Sequence, residues 1–252
     1  MIDSPFDFIW RSQLDEKRFG VYVARAIDVN LNRLPVVLEF CHAQNVQLLI
    51  ARCSTHELLS LQAMENAGFL LMDTLIYFEF NLHRRELPPR HDLNIRTVEP
   101  QDVDAVKELS RQAFSGYDSH YHADTKLDRL ACDELYVDWA VRSCSQKELA
   151  DEVFVADSKN GILGFLVLKV DKIKIADCRL YAVSRHAQKS GVGQALLIEA
   201  LHWCVKKGLD AMTISTQITN IASQKACIRV GFEPYNSFYT LHKWFDKGEK
   251  YG

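Results

Sequence analysis

The chain has 252 residues, of which 48% are hydrophobic and 25% are charged, so it is long enough to bury the core of one large domain or of two modest ones. A formal net charge of -3 argues against a generalised electrostatic grip on nucleic acid, and we expect no nucleic-acid partner. No apolar run approaches the roughly 20 residues of a membrane span, and the N-terminus lacks the basic-then-apolar order of a signal peptide, which favours a cytoplasmic protein.

Cysteine usage indicates a reducing compartment. The seven cysteines are odd in number, dispersed along the chain and never arranged as Cys-x-x-Cys. We therefore expect free, mostly buried thiols, with neither a disulfide framework nor a zinc site.

The first part of the chain has the periodicity of an α/β protein but carries no candidate chemistry. Residues 20–26 are predicted as a strand and 34–44 as a helix. A clearer unit follows, with a strand at 46–51, a helix at 57–67, the dipeptide Gly68-Phe69 and a second strand that ends at residue 80.

The same plan returns 163 residues later, as a strand at 211–216, a helix at 221–230, Gly231-Phe232 and a strand at 237–244. This recurrence indicates a half-domain duplication, in which the first copy is a scaffold or a wall for a substrate site. The alternative is coincidence, because strand, helix, Gly-Phe and strand is a common order in α/β proteins.

Pro88 and Pro89 stand among charged residues and interrupt any regular element, so they predict a linker. We therefore divide the chain into an N-terminal half-domain at 1–88 and a second domain at 89–252. The second domain opens with a strand at 93–98 and a helix that begins near Pro100.

A polar loop rich in aromatic and histidine side chains follows at 114–124, before a helix that ends near residue 144. The candidates in this loop for binding a polar substrate are Tyr117, His120, Tyr121 and His122. Each histidine alone is more simply a solvated loop residue. The His-x-His spacing also suits a metal ion, but no third ligand stands nearby and we predict no metal site.

Three successive strands, at 152–156, 162–170 and 173–183, predict an antiparallel meander. The last strand runs into the loop Gln188-x-x-Gly191-x-Gly193, which opens a helix. The two glycines allow a ligand to approach the backbone, and the unpaired amides at the helix start favour an anion. This glycine pattern alone is weak, because it matches neither a P-loop nor a complete dinucleotide fingerprint.

The order of elements from Ile95 to Trp244, with the Gln188 loop and Gly231-Phe232, resembles the GNAT superfamily of N-acetyltransferases. The resemblance implies an α/β fold in which helices flank a mixed, mostly antiparallel sheet, preceded here by the degenerate half-domain. It also implies that acetyl-CoA is the acyl donor. The residues that the resemblance assigns to acetyl-CoA are Ala182, Val183, Gln188, Lys189, Ser190, Gly191, Val192, Gly193, Gln194 and Asn220.

Three segments, Asp138 to Arg142, Ser215 to Asn220 and Lys225 to Gly231, are similar in detail to one branch of that superfamily, the TDP-fucosamine acetyltransferases. That branch acetylates the 4-amino group of a nucleotide-linked deoxysugar, so the resemblance implies a small-molecule acceptor of this kind. The alternatives are an amino acid, a polyamine or a protein amine. No pattern in the sequence predicts an oligomeric state.

The chemistry that the resemblance implies is direct attack of the amine on the thioester, without an acyl-enzyme and with help from a backbone amide near Val183. The amine must first lose a proton, because an ammonium has no lone pair. Asp177 is our first candidate for the base, and His120 and His122 are the second candidates.

The family commonly has a tyrosine at the position of Cys227, where it protonates the departing thiolate. The thiol of Cys227 is our candidate for this acid, and a structural buried cysteine is the alternative. Tyr235 and Tyr239 are substitute donors, and departure of CoA without a dedicated acid is the remaining alternative. The missing tyrosine also leaves open a different class of protein, a module that senses acyl-CoA without turning it over.

Overall fold

The computed structural model describes residues 6–245, which fall into two compact units. Within that range, unit 1 comprises 6–75, 118–132 and 236–245, and unit 2 comprises 76–117 and 133–235. Among residues 6–245, none of the helices combines the length and the apolar composition that a membrane span requires. All seven cysteines are free thiols.

The strands are β1 (Ile9–Arg11), β2 (Val23–Ala26), β3 (Leu48–Ser54), β4 (Leu70–Asn81), β5 (Asn94–Thr97), β6 (Glu152–Ser158), β7 (Gly161–Val170), β8 (Ile175–Val183), β9 (Ala211–Gln217) and β10 (Glu233–Trp244). The helices are α1 (Gln13–Phe19), α2 (Arg33–Ala43), α3 (Leu58–Asn66), α4 (Val103–Phe114), α5 (His120–Ala123), α6 (Arg129–Ser143), α7 (Val192–Lys206) and α8 (Ile221–Val230). Short 3-10 turns at Pro100–Asp102 and Arg185–Ala187 precede α4 and α7. β4 and β10 contribute residues to both units.

Unit 1 holds β1, β2, β3 and β10 side by side in that order. β2 and β3 run parallel, whereas β1 with β2 and β3 with β10 run antiparallel. One face of these strands, which includes Leu49, Ala51 and Leu241, forms an apolar core with Val37 of α2 and Met64 of α3. Burial of this face holds the two helices on the strands.

The N-terminal region differs from the sequence prediction, which contains neither β1 nor α1. Gly20 was assigned to a strand, but its φ of 69° places it in the left-handed region, where it ends α1. Its amide donates a hydrogen bond to the Glu16 carbonyl oxygen at 2.9 Å, a usual helix C-terminal contact. The predicted strand therefore begins only at Val23. The predicted loop at 114–124 likewise contains the short helix α5.

The two units do not follow the predicted division between residues 88 and 89. The last strand pairs antiparallel with β3 along Phe238 to Trp244, and this part of it belongs to unit 1. Pro88 and Pro89 lie inside unit 2. A proline restricts only the backbone next to it, so it indicates a local interruption and not a domain boundary. Strand pairing joins segments that are distant in sequence, and the division into units follows that pairing. That residues 1–88 form a degenerate half-domain stays a prediction.

Unit 2 holds β4, β9, β8, β7, β6 and β5 side by side in that order. β6, β7 and β8 form the predicted antiparallel meander. β5 pairs antiparallel with β6, and β8 runs parallel to β9. Leu196 and Leu201 of α7 pack in the unit 2 core with Leu166, Met212 and Cys227. α4 packs against β7 and β8. The result is a mixed, mostly antiparallel sheet flanked by helices.

Candidate functional site

The ladder between the parallel strands β8 and β9 stops before either strand ends. Its last pair is Cys178 with Ile214, whereas β8 continues to Val183 and β9 to Gln217. The ladder of β8 with β7 reaches Val183, so β8 stays in the sheet on that side. We call the opening between 179–183 and 215–217 the β8–β9 gap. Within the described chain, the backbone of β8 has no ladder partner on β9 along this gap and is available to a ligand.

A β-bulge in β8 decides which of its side chains face α7. The pairing with β7 shifts register between Cys178 and Leu180, so Arg179 is the extra residue. Cys178 lies in the core beneath α7, and Tyr181 packs against the same core. Strict alternation would put these two side chains on opposite faces. The bulge therefore turns Tyr181 toward α7.

The loop between β8 and α7 leads directly into the first turn of that helix, where backbone amides lack acceptors within the helix. Gly191 has a φ of 89° and is the N-cap of α7, and the first bond within the helix runs from the Ala195 amide to the Gly191 carbonyl oxygen at 3.0 Å. The amides of Val192, Gly193 and Gln194 therefore have no acceptor within the helix. Gln188, Lys189 and Ser190 are exposed beside them. A helix N-terminus of this kind favours an anion.

Both glycines of the loop are under steric constraint. A Cβ on Gly193 would overlap the Tyr181 hydroxyl group, and a Cβ on Gly191 would lie 3.0 Å from Nε2 of His91. Neither position admits a larger residue without movement of a neighbour. The site fits the pyrophosphate of a CoA thioester. Its glycine backbone allows close approach, its helix-start amides can donate hydrogen bonds, and Arg185 and Lys189 supply positive charge.

The segment 115–117 reaches both sides of the β8–β9 gap. Arg185, which follows β8, donates a hydrogen bond to the Ser115 carbonyl oxygen at 3.0 Å. The Tyr117 hydroxyl donates to Oε1 of Gln217, the last residue of β9. The Tyr117 ring also makes an edge contact with Tyr136, with ring centroids 5.4 Å apart. Tyr117, a predicted substrate residue, therefore lies at the gap.

Asn220 and Cys227 both lie on α8. The Asn220 side-chain oxygen accepts a hydrogen bond from the Ser223 amide at 3.2 Å, so it caps the helix. Cys227 is fully buried in the unit 2 core, and this burial raises the pKa of its thiol to about 12. Burial likewise raises the pKa of the Tyr181 phenol, with further contributions from nearby Cys227 and Cys178. The Cys227 thiol is therefore protonated at neutral pH.

Asp177 lies on the part of β8 that is still paired with β9. Its carboxylate forms an ion pair with Arg179, with Nε to Oδ2 at 2.8 Å, and it accepts a hydrogen bond from the Thr213 hydroxyl at 3.3 Å. Burial raises the pKa of Tyr235 to about 12, with contributions from Tyr77 and then Asp177. Of the two substitute proton donors, Tyr235 thus lies near Asp177, whereas Tyr239 belongs to unit 1.

The remaining predicted substrate residues belong to unit 1, where they form polar networks. His120 Nδ1 lies 2.9 Å from His242 Nε2, and His242 Nδ1 lies 2.7 Å from an Asp124 oxygen. The Tyr121 hydroxyl donates to Asp15 at 3.1 Å. His120 and Tyr121 are buried, and His122 Nδ1 lies 2.9 Å from the hydroxyl of Ser119. The structure therefore separates Tyr117 from the three other loop candidates by unit.

Sequence reasoning did not predict a polar cleft of about 390 Å³ in unit 2. The residues that line it are Glu79, Asn81, Arg84, Arg85, Glu233, Pro234 and Tyr235. An ion pair joins Arg85 to Glu233. Among residues 6–245, no group of three or more His, Cys, Asp or Glu side chains is placed to hold a metal ion.

A family model for the Acetyltransferase (GNAT) family matches residues 104–232, which is just over half of the chain. The chain belongs to the GNAT family of acetyltransferases. The matched range extends from α4 to the end of α8 and includes the β8–β9 gap and the Gln188 loop. The family predicted from the sequence is therefore confirmed.

Two curated relatives share low sequence identity with this GNAT chain. The spore coat polysaccharide biosynthesis protein SpsD of Bacillus subtilis (strain 168) is 26% identical over 181 residues, which are 69% of this chain and 61% of that protein. An uncharacterized N-acetyltransferase of Methanocaldococcus jannaschii is 25% identical over 145 residues, which are 55% of this chain and 60% of that protein. The chain thus spans about three-fifths of the length of these curated relatives.

The fold also matches solved GNAT structures. The crystal structure of a GCN5-related N-acetyltransferase from Sphaerobacter thermophilus aligns with a TM-score of 0.67, covering 96% of this chain and 78% of that chain at 14% identity. Identity at this level shows the fold and nothing finer. The predicted α/β fold, a mixed sheet flanked by helices, is confirmed.

Proposed function

We propose that the protein is an acetyl-CoA-dependent N-acetyltransferase that transfers an acetyl group to a primary amine. One observation carries this proposal: the β8–β9 gap runs directly into the loop that presents the amides of Val192, Gly193 and Gln194. An edge of unpaired strand backbone followed by a helix N-terminus suits a ligand with an amide-bearing arm and a pyrophosphate. Acetyl-CoA combines both groups and supplies the acetyl thioester.

Each part of the site has a distinct task in this proposal. The loop from Gln188 to Gln194 holds the pyrophosphate, and the β8 backbone at Ala182 and Val183 binds the pantetheine arm. The Val183 amide polarises the thioester carbonyl, and binding holds amine and thioester in line for direct attack. Asn220 lies beside the same ligand, close to the end of β9.

Two proton transfers accompany the attack. Asp177 is the proposed base for the incoming amine, with Arg179 and Thr213 fixing its carboxylate. The thiolate that departs needs a proton, and the protonated thiol of Cys227 is the proposed donor. Tyr235 is the alternative donor in unit 2.

For the acceptor, we propose the 4-amino group of a nucleotide-linked deoxysugar, of which TDP-fucosamine is the model. Two observations support this choice. The relative SpsD is named for polysaccharide biosynthesis. The ring of Tyr117, which contacts the buried ring of Tyr136, lies at the β8–β9 gap together with the guanidinium of Arg185. Aromatic rings can stack on the nucleobase of such a nucleotide-sugar, and cationic groups can bind its phosphates. An acidic lining of the β8–β9 gap would instead favour a polyamine acceptor.

A paired substitution tests the acetyl-CoA site. Gly191→Asp places a carboxylate and a Cβ where the pyrophosphate is expected, so acetyl-CoA affinity should fall by at least about tenfold, or 1.4 kcal/mol. Gly161→Asp is the control, because Gly161 has a φ of 104° and no atom within 4 Å of its added Cβ. Isothermal calorimetry with acetyl-CoA gives both affinities. Wild-type binding by the Gly191 variant would refute the site.

A second experiment separates the acceptor classes. Release of CoA thiol is followed with acetyl-CoA and a panel that contains a TDP-linked 4-amino-deoxysugar, amino acids, polyamines and a peptide amine. We expect the amino-sugar nucleotide to give the highest kcat/KM. Turnover of another amine alone overturns the acceptor but not the acetyltransferase. Binding of acetyl-CoA without turnover of any amine favours the acyl-CoA sensor that the buried Cys227 leaves open.

A further inference from the structure

Residues 88–91 run along one face of α7 toward its N-terminus, and we call them the strap. Nε2 of His202 donates a hydrogen bond to the Pro88 carbonyl oxygen at 3.1 Å. Arg90 binds both carboxylate oxygens of Glu199, at 2.7 and 3.2 Å. The strap contacts α7 at residues 202 and 199 and then reaches residue 191. These three positions fall on one side of a helix, so the strap follows that side to the N-terminal end of α7.

His91 ends the strap beside the Gln188 loop. Its Nε2 lies 3.0 Å from the position of a Cβ on Gly191, whereas its two neighbouring ring carbons lie at 3.7 and 3.8 Å. The nitrogen edge of the imidazole is therefore the part of the ring nearest the loop. His91 is exposed, so a ligand at this loop can reach it.

We propose that His91 is an additional residue for binding acetyl-CoA, and that its imidazole contacts a phosphate oxygen of the CoA moiety. This inference rests on the proposed function, because it needs acetyl-CoA at the Gln188 loop. The amides of Val192 to Gln194 approach an anion from the helix end, and Lys189 approaches from the loop. His91 adds a donor from a third direction, supplied by a distant part of the chain.

The charges around His91 are consistent with an anion at this place. Lys189 and Arg185 are exposed cations of the segment between β8 and α7. Glu199, the acidic group on the adjacent face of α7, is bound by Arg90. Asp92 is the acidic neighbour along the chain. The Arg90–Glu199 pair thus fastens the strap to α7 next to His91 and offsets the negative charge of Glu199.

The alternative is that His91 only packs over Gly191 and closes the loop. The two roles predict different ligand dependence. A phosphate contact affects ligands that carry phosphates, whereas packing affects the shape of the loop for every ligand that binds there. S-acetylpantetheine, which has the thioester arm but no phosphate, separates these outcomes.

The experiment compares affinities of full-length variants for acetyl-CoA and for S-acetylpantetheine. We expect His91→Ala to weaken acetyl-CoA binding about tenfold and to leave S-acetylpantetheine binding unchanged. His83→Ala is the matched control, because His83 is also an exposed histidine of unit 2 but is paired with Asp210. It should change neither affinity. Wild-type affinity of the His91 variant for acetyl-CoA, or an equal loss for both ligands, overturns the proposal.

A second measurement uses the wild-type protein and does not depend on how the variant folds. Imidazole resonances of His91 are followed by NMR during titration with each ligand. We expect acetyl-CoA to shift them and S-acetylpantetheine to leave them in place. If acetyl-CoA binds without moving them, His91 has no phosphate contact. If acetyl-CoA does not bind the wild-type protein at all, the proposed function fails first, and the two failures are distinguishable.

Discussion

Lys189 holds an unfavourable backbone conformation at the centre of the candidate site. Its φ of 66° lies in the left-handed region, which costs a residue with a side chain about 1–2 kcal/mol relative to glycine. Strain of this kind persists where the surrounding structure fixes it, and it is common where ligands bind. The conformation places the Lys189 side chain in solvent next to the free amides of α7.

Replacing Lys189 by glycine should separate stability from binding. The relief of strain is offset in part by the extra freedom of glycine in the unfolded chain, so we expect the free energy of unfolding to change by no more than about 1 kcal/mol. Acetyl-CoA affinity should fall several-fold, because a cation is lost and the loop is less ordered. Urea unfolding and calorimetry measure the two quantities.

Lys174→Gly is the matched control for that experiment. Lys174 has a φ of 63° but lies in the turn between β7 and β8. Its replacement should change stability by a similar amount and leave acetyl-CoA affinity unaltered. Equal affinities of both variants for acetyl-CoA would show that Lys189 has no part in binding.

The sequence predicted those site residues whose type is restricted by the backbone conformation or by the space at their own position. Gly191 and Gly193 were predicted because a close approach and a left-handed conformation leave few choices there. His91 was not predicted, because it approaches Gly191 only through the strap. The strap is bound to residues of α7 that lie about a hundred positions further along the chain. No local pattern in the sequence records such a contact.

Among the elements, β3, α3 and β4 recur as β9, α8 and β10 with closely matching bounds. Each of the second three begins 163 residues after its counterpart. Gly68 and Gly231 both have positive φ and are followed by a buried phenylalanine. These elements were predictable because helix periodicity and a glycine stop are local signals. The bulge in β8 was not, because buried residues on both sides of Arg179 hide the one-residue change of phase.

The two recurring helices differ at the N-cap, and this difference permits a test of Asn220. Glu57 of α3 makes no capping bond, whereas Asn220 caps α8. Asn220→Ala should destabilise the protein by about 1 kcal/mol, because the Ser223 amide loses its acceptor. Asn220→Asp keeps an acceptor oxygen and should stay within a few tenths of the wild-type free energy of unfolding, roughly as other Asx caps do.

Binding measurements on the same two variants address the role that the family resemblance assigns to Asn220. If its amide group contacts acetyl-CoA, both variants should bind acetyl-CoA several-fold more weakly than the wild type. Wild-type affinity of Asn220→Asp, measured by calorimetry alongside its unfolding curve, would restrict the residue to capping.

At the scale of the whole molecule, unit 1 has a buried histidine that makes its stability depend on pH. Burial lowers the pKa of His120 well below its usual value, and positive charge from His242 and then Arg25 adds to the effect. Arg52 and His122 also contribute. In the unfolded chain an imidazole takes up a proton below about pH 6.5. Because the folded protein binds that proton less readily, stability is greatest above this pH and falls as the pH drops.

We expect the melting temperature to fall between pH 7 and pH 5, with a loss of up to about 1.4 kcal/mol per pH unit from His120. His120→Gln removes the titrating group, so its stability should depend less on pH even if it is lower overall. His56→Gln is the control, because His56 is an exposed histidine of the same unit. The same pH slope for His120→Gln and the wild type would contradict the assignment.

The pairing of β10 with β3 has a consequence for how the protein is made. β3 ends at Ser54, but its antiparallel neighbour is formed by residues up to Trp244. During synthesis, β1 to β3 leave the ribosome long before that neighbour exists, and the free edge of β3 stays open to other strands. The emerging chain must therefore avoid mispairing of this edge throughout elongation. The N-terminal part of unit 1 completes its sheet only after unit 2 has been translated.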